Sequence, residues 1–334
     1  MPKISQRTGA AATAMLGLGT YRPHRVVSND ELCEVLDSND EWIQSRTGIQ
    51  RRRFAGDDET LVDMATAAAE GALKAAGVTA GQLGTVILAT SSHAQHTPHA
   101  APLVADRIGS KAASFDVGAG CAGFCHALSV ASDLVRGGTA EYVLVIGVEK
   151  ISQFIDPTDR STAMIFADGA GAVVVGAAEE AGIGPVAWGS DGSQSHVIGQ
   201  SPGCREVDAE HKPVVHMQGQ AVFRWAPFAM ADVAREAVAN AGLEMSDLDA
   251  FVPHQANMRI TDTLVRNLKL PAGIPVARDI ADSGNTSAAS VPLAIERMIR
   301  DGEASVGDTA LLIAFGAGLS FASQVVTLPP VVEA

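Results

Sequence analysis

One order of short segments recurs in this chain at a nearly constant offset, and it constrains the fold more than any other feature. Ala76-Gly77-Val78 with Leu83 returns 165 residues later as Ala241-Gly242-Leu243 with Leu248. The apolar run 85–88 overlays Ala250-Phe251-Val252-Pro253 at the same offset, and Cys121 overlays Thr286. Leu144-Val145-Ile146-Gly147 overlays Leu311-Leu312-Ile313-Ala314 at an offset of 167. Such matches are weak one by one. In one order, and near half of 334 residues, they argue for a duplicated unit. Each half alternates short apolar runs with helix-length patterns, which predicts an α/β fold of parallel sheets covered by helices. The halves are expected at 1–178 and 179–334, with the boundary near 177–184.

Residues 1–12 read as loose chain and 14–19 as a first strand. Ser38 suits an N-cap, and Glu41 completes a capping box ahead of Trp42, Arg46 and Arg51-Arg52-Arg53. Residues 60–76 read as a helix ended by Gly77. The runs 85–90, 142–148 and 171–175 read as buried strands of a parallel sheet. In the second half, 288–298 reads as a helix.

Only 4% of the chain is aromatic against 47% hydrophobic, so Ala, Val, Leu and Ile must build the core. The net charge of −14 argues against general nucleic-acid binding, and against an acidic partner unless a local basic patch exists. The cysteines are Cys33, Cys121, Cys125 and Cys204. Cys121 and Cys125 are one helical turn apart, and no second close pair completes a zinc site, so no metal is expected. No apolar run follows a basic N-terminal segment, and none approaches 18 residues. A reducing, cytoplasmic setting without membrane contact is the expectation.

The stretch 116–128 carries a glycine-broken turn into a helix whose Phe124, Leu128, Ala131 and Val135 share one apolar face. Cys121 falls at the helix start, where unpaired N–H groups and the helix dipole favour a thiolate. His254 follows an apolar strand, and sites in parallel α/β sheets gather at strand carboxyl ends. Ser283-Gly284-Asn285-Thr286-Ser287 reads as a loop into the helix at 288–298, and Phe315-Gly316-Ala317-Gly318 follows another strand. In a duplicated fold the two helix starts meet, so Cys121 would face Asn285 with His254 alongside. Plainer readings stand beside these: an inert core cysteine, a satisfied histidine, a simple turn, glycines for packing. Cys125 and His126 read as structural.

Six motifs stand in a fixed order. They are Asp40-Glu41-Trp42-Ile43 with Arg46-Thr47-Gly48-Ile49; Gly120-Cys121-Ala122-Gly123-Phe124; Asp156-Pro157-Thr158-Asp159-Arg160; Phe166 with Asp168-Gly169-Ala170-Gly171; Val252-Pro253-His254-Gln255-Ala256-Asn257; and Gly284-Asn285-Thr286-Ser287-Ala288-Ala289-Ser290. With them the chain resembles β-ketoacyl-acyl-carrier-protein synthase III, of the thiolase-like superfamily, over nearly its whole length. The resemblance implies a thiolase-like fold, two duplicated α/β halves packed as a layered α-β-α-β-α sandwich. It implies a decarboxylating Claisen condensation of an acyl-CoA primer with malonyl-acyl-carrier-protein, initiating fatty acid synthesis through an acyl-Cys121 intermediate. Cys121, His254 and Asn285 take the catalytic places. The backbone N–H groups of Cys121 and Ala317 form the oxyanion hole, with Ala317 where a glycine is frequent.

The resemblance also places Ser38, Trp42, Arg46, Arg160 and Asn257 along CoA and its pantetheine, with Ser38 in place of a common Thr. Arg224, Arg259 and Arg266 fall on a basic patch for the acidic acyl carrier protein, Arg224 and Arg266 replacing Lys. Thr97 and Phe315 border the acyl pocket, Thr97 in a loop that closes it across a homodimer interface. Straight-chain, acetyl-preferring members often carry Phe at the Thr97 position, so branched primers are expected here. No cofactor is implied, since acyl-CoA and malonyl-carrier are substrates. A starter-unit ketosynthase III or acyltransferase of a polyketide pathway would use the same residues. Thiolases and hydroxymethylglutaryl-CoA synthases use a second Cys or a Glu in the Asn285 role. The surroundings of Cys121 are not those of a papain-type Cys-His-Asn peptidase. A non-catalytic partner subunit is disfavoured because Cys121 is present.

Overall fold

The computed structural model describes residues 4–5, 7–203, 206–208 and 212–332; Cys204 lies outside them. The chain opens with β1 (Ala12–Tyr21), β2 (Arg25–Ser28), α1 (Asn29–Cys33), α2 (Asp40–Thr47) and β3 (Arg51–Phe54). There follow α3 (Leu61–Ala76), β4 (Leu83–Ala89), α4 (Ala100–Arg107), β5 (Ala113–Val117), α5 (Gly123–Arg136), β6 (Tyr142–Glu149) and β7 (Gly169–Ala178). Next come β8 (Ala187–Ser190), an antiparallel ribbon of β9 (Ile198–Ser201) with β10 (Val214–Met217), and α6 (Gly219–Asn240). The chain continues through β11 (Ala250–Pro253), α7 (Met258–Leu268), α8 (Ile280–Ser283), α9 (Ser290–Arg300), β12 (Thr309–Gly316) and β13 (Ser320–Thr327).

Two sheets carry the architecture, ordered β1-β7-β6-β4-β5 and β11-β12-β13-β8. Side chains alternate across each strand, so each sheet offers two faces. Val145 and Val175 of the first sheet, and Leu312 and Ala314 of the second, point inward onto Phe124 and Leu128 of α5 and Val291 and Ile295 of α9. Leu88, Ile146 and Val174 point outward under α3 and α4. Phe251, Leu311 and Ile313 point outward under α6 and α7. The order is helices, sheet, helices, sheet, helices, the expected layered sandwich. β6 is covered on both faces, hence its unbroken apolar run. Each Leu, Ile or Phe fully buried there contributes about 1.5–3 kcal/mol.

The sheets are mixed, not parallel. β4 runs parallel to β5 and β6, and β11 to β12. β7 runs antiparallel to both its neighbours, as does β13. A parallel pairing needs a crossover, usually a helix. Between β6 and β7 the chain supplies only a 3-10 turn, Ile151–Phe154, and β12 reaches β13 through residues 317–319 alone.

The internal repeat is visible in the elements, with one shift. The 3-10 turns Ala80–Gln82 and Met245–Asp247 keep the offset of 165. Downstream, Gly120–Ala122 matches Ser287–Ala289, α5 matches α9 and β6 matches β12, all at 167. Cys121 therefore overlays Ala288 rather than Thr286, because two residues enter between the upstream and downstream segments. α3 begins at its Thr60 cap, with Asp63 completing the capping box, and ends at Gly77 in the left-handed conformation. α2 is capped by Asn39 instead of Ser38: Asn39 Oδ1 accepts from Trp42 N at 2.8 Å. Ser38 lies outside, its N–H bonded to Leu36 O in the preceding turn.

Candidate active site

Cys121 sits in the 3-10 turn between β5 and α5, not within the helix that holds Cys125. The end of β12 presses against it. A Cβ on Gly316 would stand 2.7 Å from Cys121 N and 3.1 Å from its Sγ, so any side chain there must displace the turn. Gly120 holds φ +53, and a Cβ there would stand 2.9 Å from Ala317 N. The main chains of Cys121 and Ala317 thereby meet at one cavity. The symmetric contact exists too: Gly147 of β6 packs under Ala288. Each half's turn rests on the other half's strand end.

His254 follows β11, its N–H bonded to Ile313 O at 2.7 Å. Its Nδ1 is 2.7 Å from Ser290 Oγ, and its ring meets Phe315 edge-on at 5.5 Å. Burial pushes its pKa down to about 3, so the imidazole is neutral. Asn285 is clamped by its backbone: its N–H donates to Ile165 O and its carbonyl accepts from Ala167 N, both at 2.9 Å. Asn285 Oδ1 accepts from Ser287 N at 2.9 Å, which leaves its NH2 group for the cavity. Cys121, His254, Asn285, Asn257 and Phe315 line one cavity of about 70 Å³. A second, of about 220 Å³, meets Cys121 from the side of Ser91, Gln200, Val215 and Ala317. A larger space of about 380 Å³, beside Thr13, Arg136 and Asn240, touches none of these residues.

The helix-start effect expected to favour a thiolate at Cys121 meets an opposing one. Burial, joined by the Glu149 carboxylate, pushes the thiol up to about 12. Glu149 lies outside every sequence motif, and Ser287 and Ser290 lie in the last motif with no role assigned to them there. Glu149 ends β6 with no exposed surface. It accepts from Ser91 N–H and from the hydroxyls of Thr90 and Ser92. A carboxylate closing an apolar strand buried on both faces was the available signal.

Arg160 and Arg46 lie over the Trp42 ring, at 4.5 and 5.7 Å from its centroid. Asn257 caps α7, accepting from Arg259 N and donating to Arg46 O, and so ties α7 to α2. The Ser38 hydroxyl is buried, with no partner among the described residues. Arg224, Arg259 and Arg266 are exposed, Arg259 over the Phe223 ring at 5.0 Å. Phe223 lines the smaller cavity, so Arg259 stands beside its mouth. Thr97 is exposed and lines neither cavity within this chain. Among the described residues no cluster of three His, Cys, Asp or Glu could hold a metal, and no helix is long and apolar enough to cross a membrane.

The family model for 3-oxoacyl-[acyl-carrier-protein (ACP)] synthase III matches residues 115–192, and its C-terminal counterpart matches 238–328. The chain is 52% identical to β-ketoacyl-[acyl-carrier-protein] synthase III of Streptomyces glaucescens, covering 98% of this chain and 100% of that one. The priming β-ketosynthase of the R1128 polyketide biosynthetic pathway superposes with a TM-score of 0.95 at 45% identity, covering 99% and 100% of the two chains. The enzyme of Aquifex aeolicus VF5 does so at 0.87 and 37%, covering 95% and 100%. The chain belongs to the β-ketoacyl-[acyl-carrier-protein] synthase III family of condensing acyltransferases.

Proposed function

We propose that Cys121 takes an acyl group from acyl-CoA and that the acyl-enzyme then condenses with malonyl-acyl-carrier-protein, losing CO2. One observation carries this reading: Cys121, His254 and Asn285 line one cavity, while His254 Nδ1 and Asn285 Oδ1 are engaged by Ser290 and Ser287. Cys121 attacks the thioester, giving acyl-Cys121 and CoA. The N–H groups of Cys121 and Ala317 stabilise the tetrahedral oxyanion. With the Ser290 hydroxyl donating to Nδ1, the neutral His254 carries its hydrogen on Nε2. That N–H and the Asn285 amide receive the enolate oxygen formed on decarboxylation. The carbanion attacks acyl-Cys121 and frees the sulfur. CoA lies along Ser38, Trp42, Arg46, Arg160 and Asn257, its phosphates met by the two arginines around Trp42. The test is intact-protein mass after mixing with a panel of acyl-CoAs, beside Cys121→Ala. An adduct absent from the variant supports the acyl-enzyme; no adduct with any primer removes it.

The carrier docks on Arg224, Arg259 and Arg266, which solves the meeting of two acidic proteins locally. Arg259→Glu is expected to weaken carrier binding at least tenfold and to spare loading by acyl-CoA. Equal loss in both half-reactions would refute the patch.

The acyl pocket, bordered by Phe315, is completed in a homodimer by the partner's Thr97 loop. Its small side chain leaves room for branched short-chain primers. Isobutyryl- or isovaleryl-CoA is expected to outcompete acetyl-CoA, and Thr97→Phe to reverse the order; an unchanged ranking in the variant would sink the assignment. The halves 1–178 and 179–334 supply the nucleophile and its two donors respectively, and the enzyme works in the cytoplasm without a cofactor. A second reading, starter-unit synthesis in a polyketide pathway, is favoured by the likeness to the R1128 priming ketosynthase. The ranking of primers separates the two only if an unusual acyl group leads.

A further inference from the structure

Gln255 follows His254 at the end of β11, and its side chain is buried. Every hydrogen bond of its amide is to main chain. Nε2 donates to Pro253 O at 2.7 Å and to Ala277 O at 3.3 Å, and Oε1 accepts from Ile280 N–H at 3.1 Å. Two carbonyls and one N–H fix which way the amide faces, and neither a carboxylate nor an apolar chain of that length can meet all three. The contacts continue a backbone pattern. Residues 275–277 run beside β11: Phe251 N–H donates to Pro275 O and Ala277 N–H to Phe251 O, both at 2.9 Å. Past Pro253 the main chain turns away, since the His254 N–H goes to Ile313 O of β12. The Gln255 amide takes over where that pairing stops and carries the join on to Ile280, the first residue of α8.

From Ile280 it is one turn of helix to the second donor. Gly284 N–H donates to Ile280 O at 3.0 Å. Gly284 holds φ +69, and a Cβ there would stand 2.8 Å from Ala167 Cβ and 3.0 Å from Arg52 Cβ, so this corner has no slack. Asn285 comes next. On the other side the Gln255 N–H lies 3.4 Å from Ser290 Oγ, the group paired with His254 Nδ1. One residue thus touches the supports of both His254 and Asn285, and none of its hydrogen bonds goes to Cys121, Gly120 or Ala317.

We propose that Gln255 is a positioning residue: its amide locks the end of β11 to α8 and so sets how His254 and Asn285 stand towards each other at the cavity. The proposal rests on the reading that these two receive the enolate oxygen. An oxygen that accepts from both donors tolerates little change in their spacing, and a misplacement of about 1 Å costs about a hundredfold in rate. α8 keeps other anchors: Asp279 between Arg22 and Arg297, and Gln50 N–H on Ala281 O. The fold therefore does not depend on this amide.

Gln255→Leu in the full-length protein is read in two half-reactions: loading by isobutyryl-CoA, followed by intact mass, and CO2 release from malonyl-acyl-carrier-protein. CO2 release is expected to fall about a hundredfold, with loading within a few-fold of wild type. Gln255→Glu keeps the size and the acceptor for Ile280 but turns an oxygen towards two carbonyls, and should show the same split. It carries the measurement if the leucine variant does not fold. A double-mutant cycle then separates positioning from support of the fold. With the donors already displaced, adding Asn285→Ala to the Gln255 variant should cost less than about tenfold in CO2 release, against about a hundred- to a thousandfold in wild type. Wild-type CO2 release in both Gln255 variants would overturn the proposal. So would full multiplication of the two losses or an equal fall in loading, either of which marks a residue that only holds the site's shape. Asn285→Ala alone releasing CO2 at the wild-type rate would remove the reading of the two donors, and the proposal with it.

Discussion

Asn285→Ala is expected to slow decarboxylation of the malonyl thioester about a hundred- to a thousandfold while acyl-CoA still loads Cys121. The loss is that of one positioned donor at a developing enolate. Asn285 Oδ1 is occupied by Ser287 N–H, so the side chain has one orientation and its NH2 group one direction. Asn285→Asp keeps the acceptor for Ser287 but turns an oxygen toward the enolate, and should be at least as slow. CO2 release measured beside acyl-adduct formation checks both; equal slowing of the two half-reactions would contradict the assignment. His254 predicts a second signature. Its pKa, pushed down to about 3 by burial, keeps it neutral across the working range, so it puts no titration into the decarboxylation rate between about pH 5 and 9. The folded state carries the sign. The unfolded chain protonates this histidine near its ordinary value of 6.5, and the native one only near 3. Stability is therefore full above 6.5 and falls as the solution is acidified toward 3.

What could be read from sequence here follows a physical line. Helix ends were legible in part: the helix read over 60–76 with its Gly77 stop is α3, whereas the cap read at Ser38 falls to Asn39, one residue on. Buried strands were legible as runs such as 142–148, because a strand covered on both faces has no polar alternation. Their direction was not, since it depends on what joins them: the missing helix between β6 and β7 decides it. Cys121, His254 and Asn285 were reached through the repeat and the motifs, and the chain does bring them to one cavity. The state of the Cys121 thiol was beyond local reasoning. A helix start lowers a thiol's pKa within a turn, whereas burial and the neighbouring Glu149 act on it from other elements, in the opposite direction. The positive φ of Ser287 was hidden likewise, being set by the turn it occupies.

Gly316→Ala is expected to cost loading of Cys121 about a hundredfold or more while leaving a folded protein. The backbone at Gly316 is not in the left-handed region, so alanine brings no conformational strain of its own. The conflict is one of space. The new methyl would stand 2.7 Å from Cys121 N, 2.9 Å from its Cβ and 3.1 Å from its Sγ. The nearest of those atoms is main chain and the Cβ is fixed to the same backbone, which packs against Ala317 through Gly120, so the turn must shift as a body. Displacing a well-packed segment to admit one methyl costs about 1–3 kcal/mol, a modest share of a large domain's core. The same shift moves the Cys121 N–H away from the Ala317 N–H, and a misplaced oxyanion donor costs about two to three orders of magnitude in rate. Activity should therefore fall much further than stability, which a thermal melt beside a loading assay reads directly. Ala317→Gly is the matching control. It removes a side chain but keeps the main-chain donor, and loading is expected to stay within a few-fold of wild type. If Gly316→Ala loads Cys121 at the wild-type rate, the close approach of β12 serves packing alone, and the oxyanion must be held elsewhere.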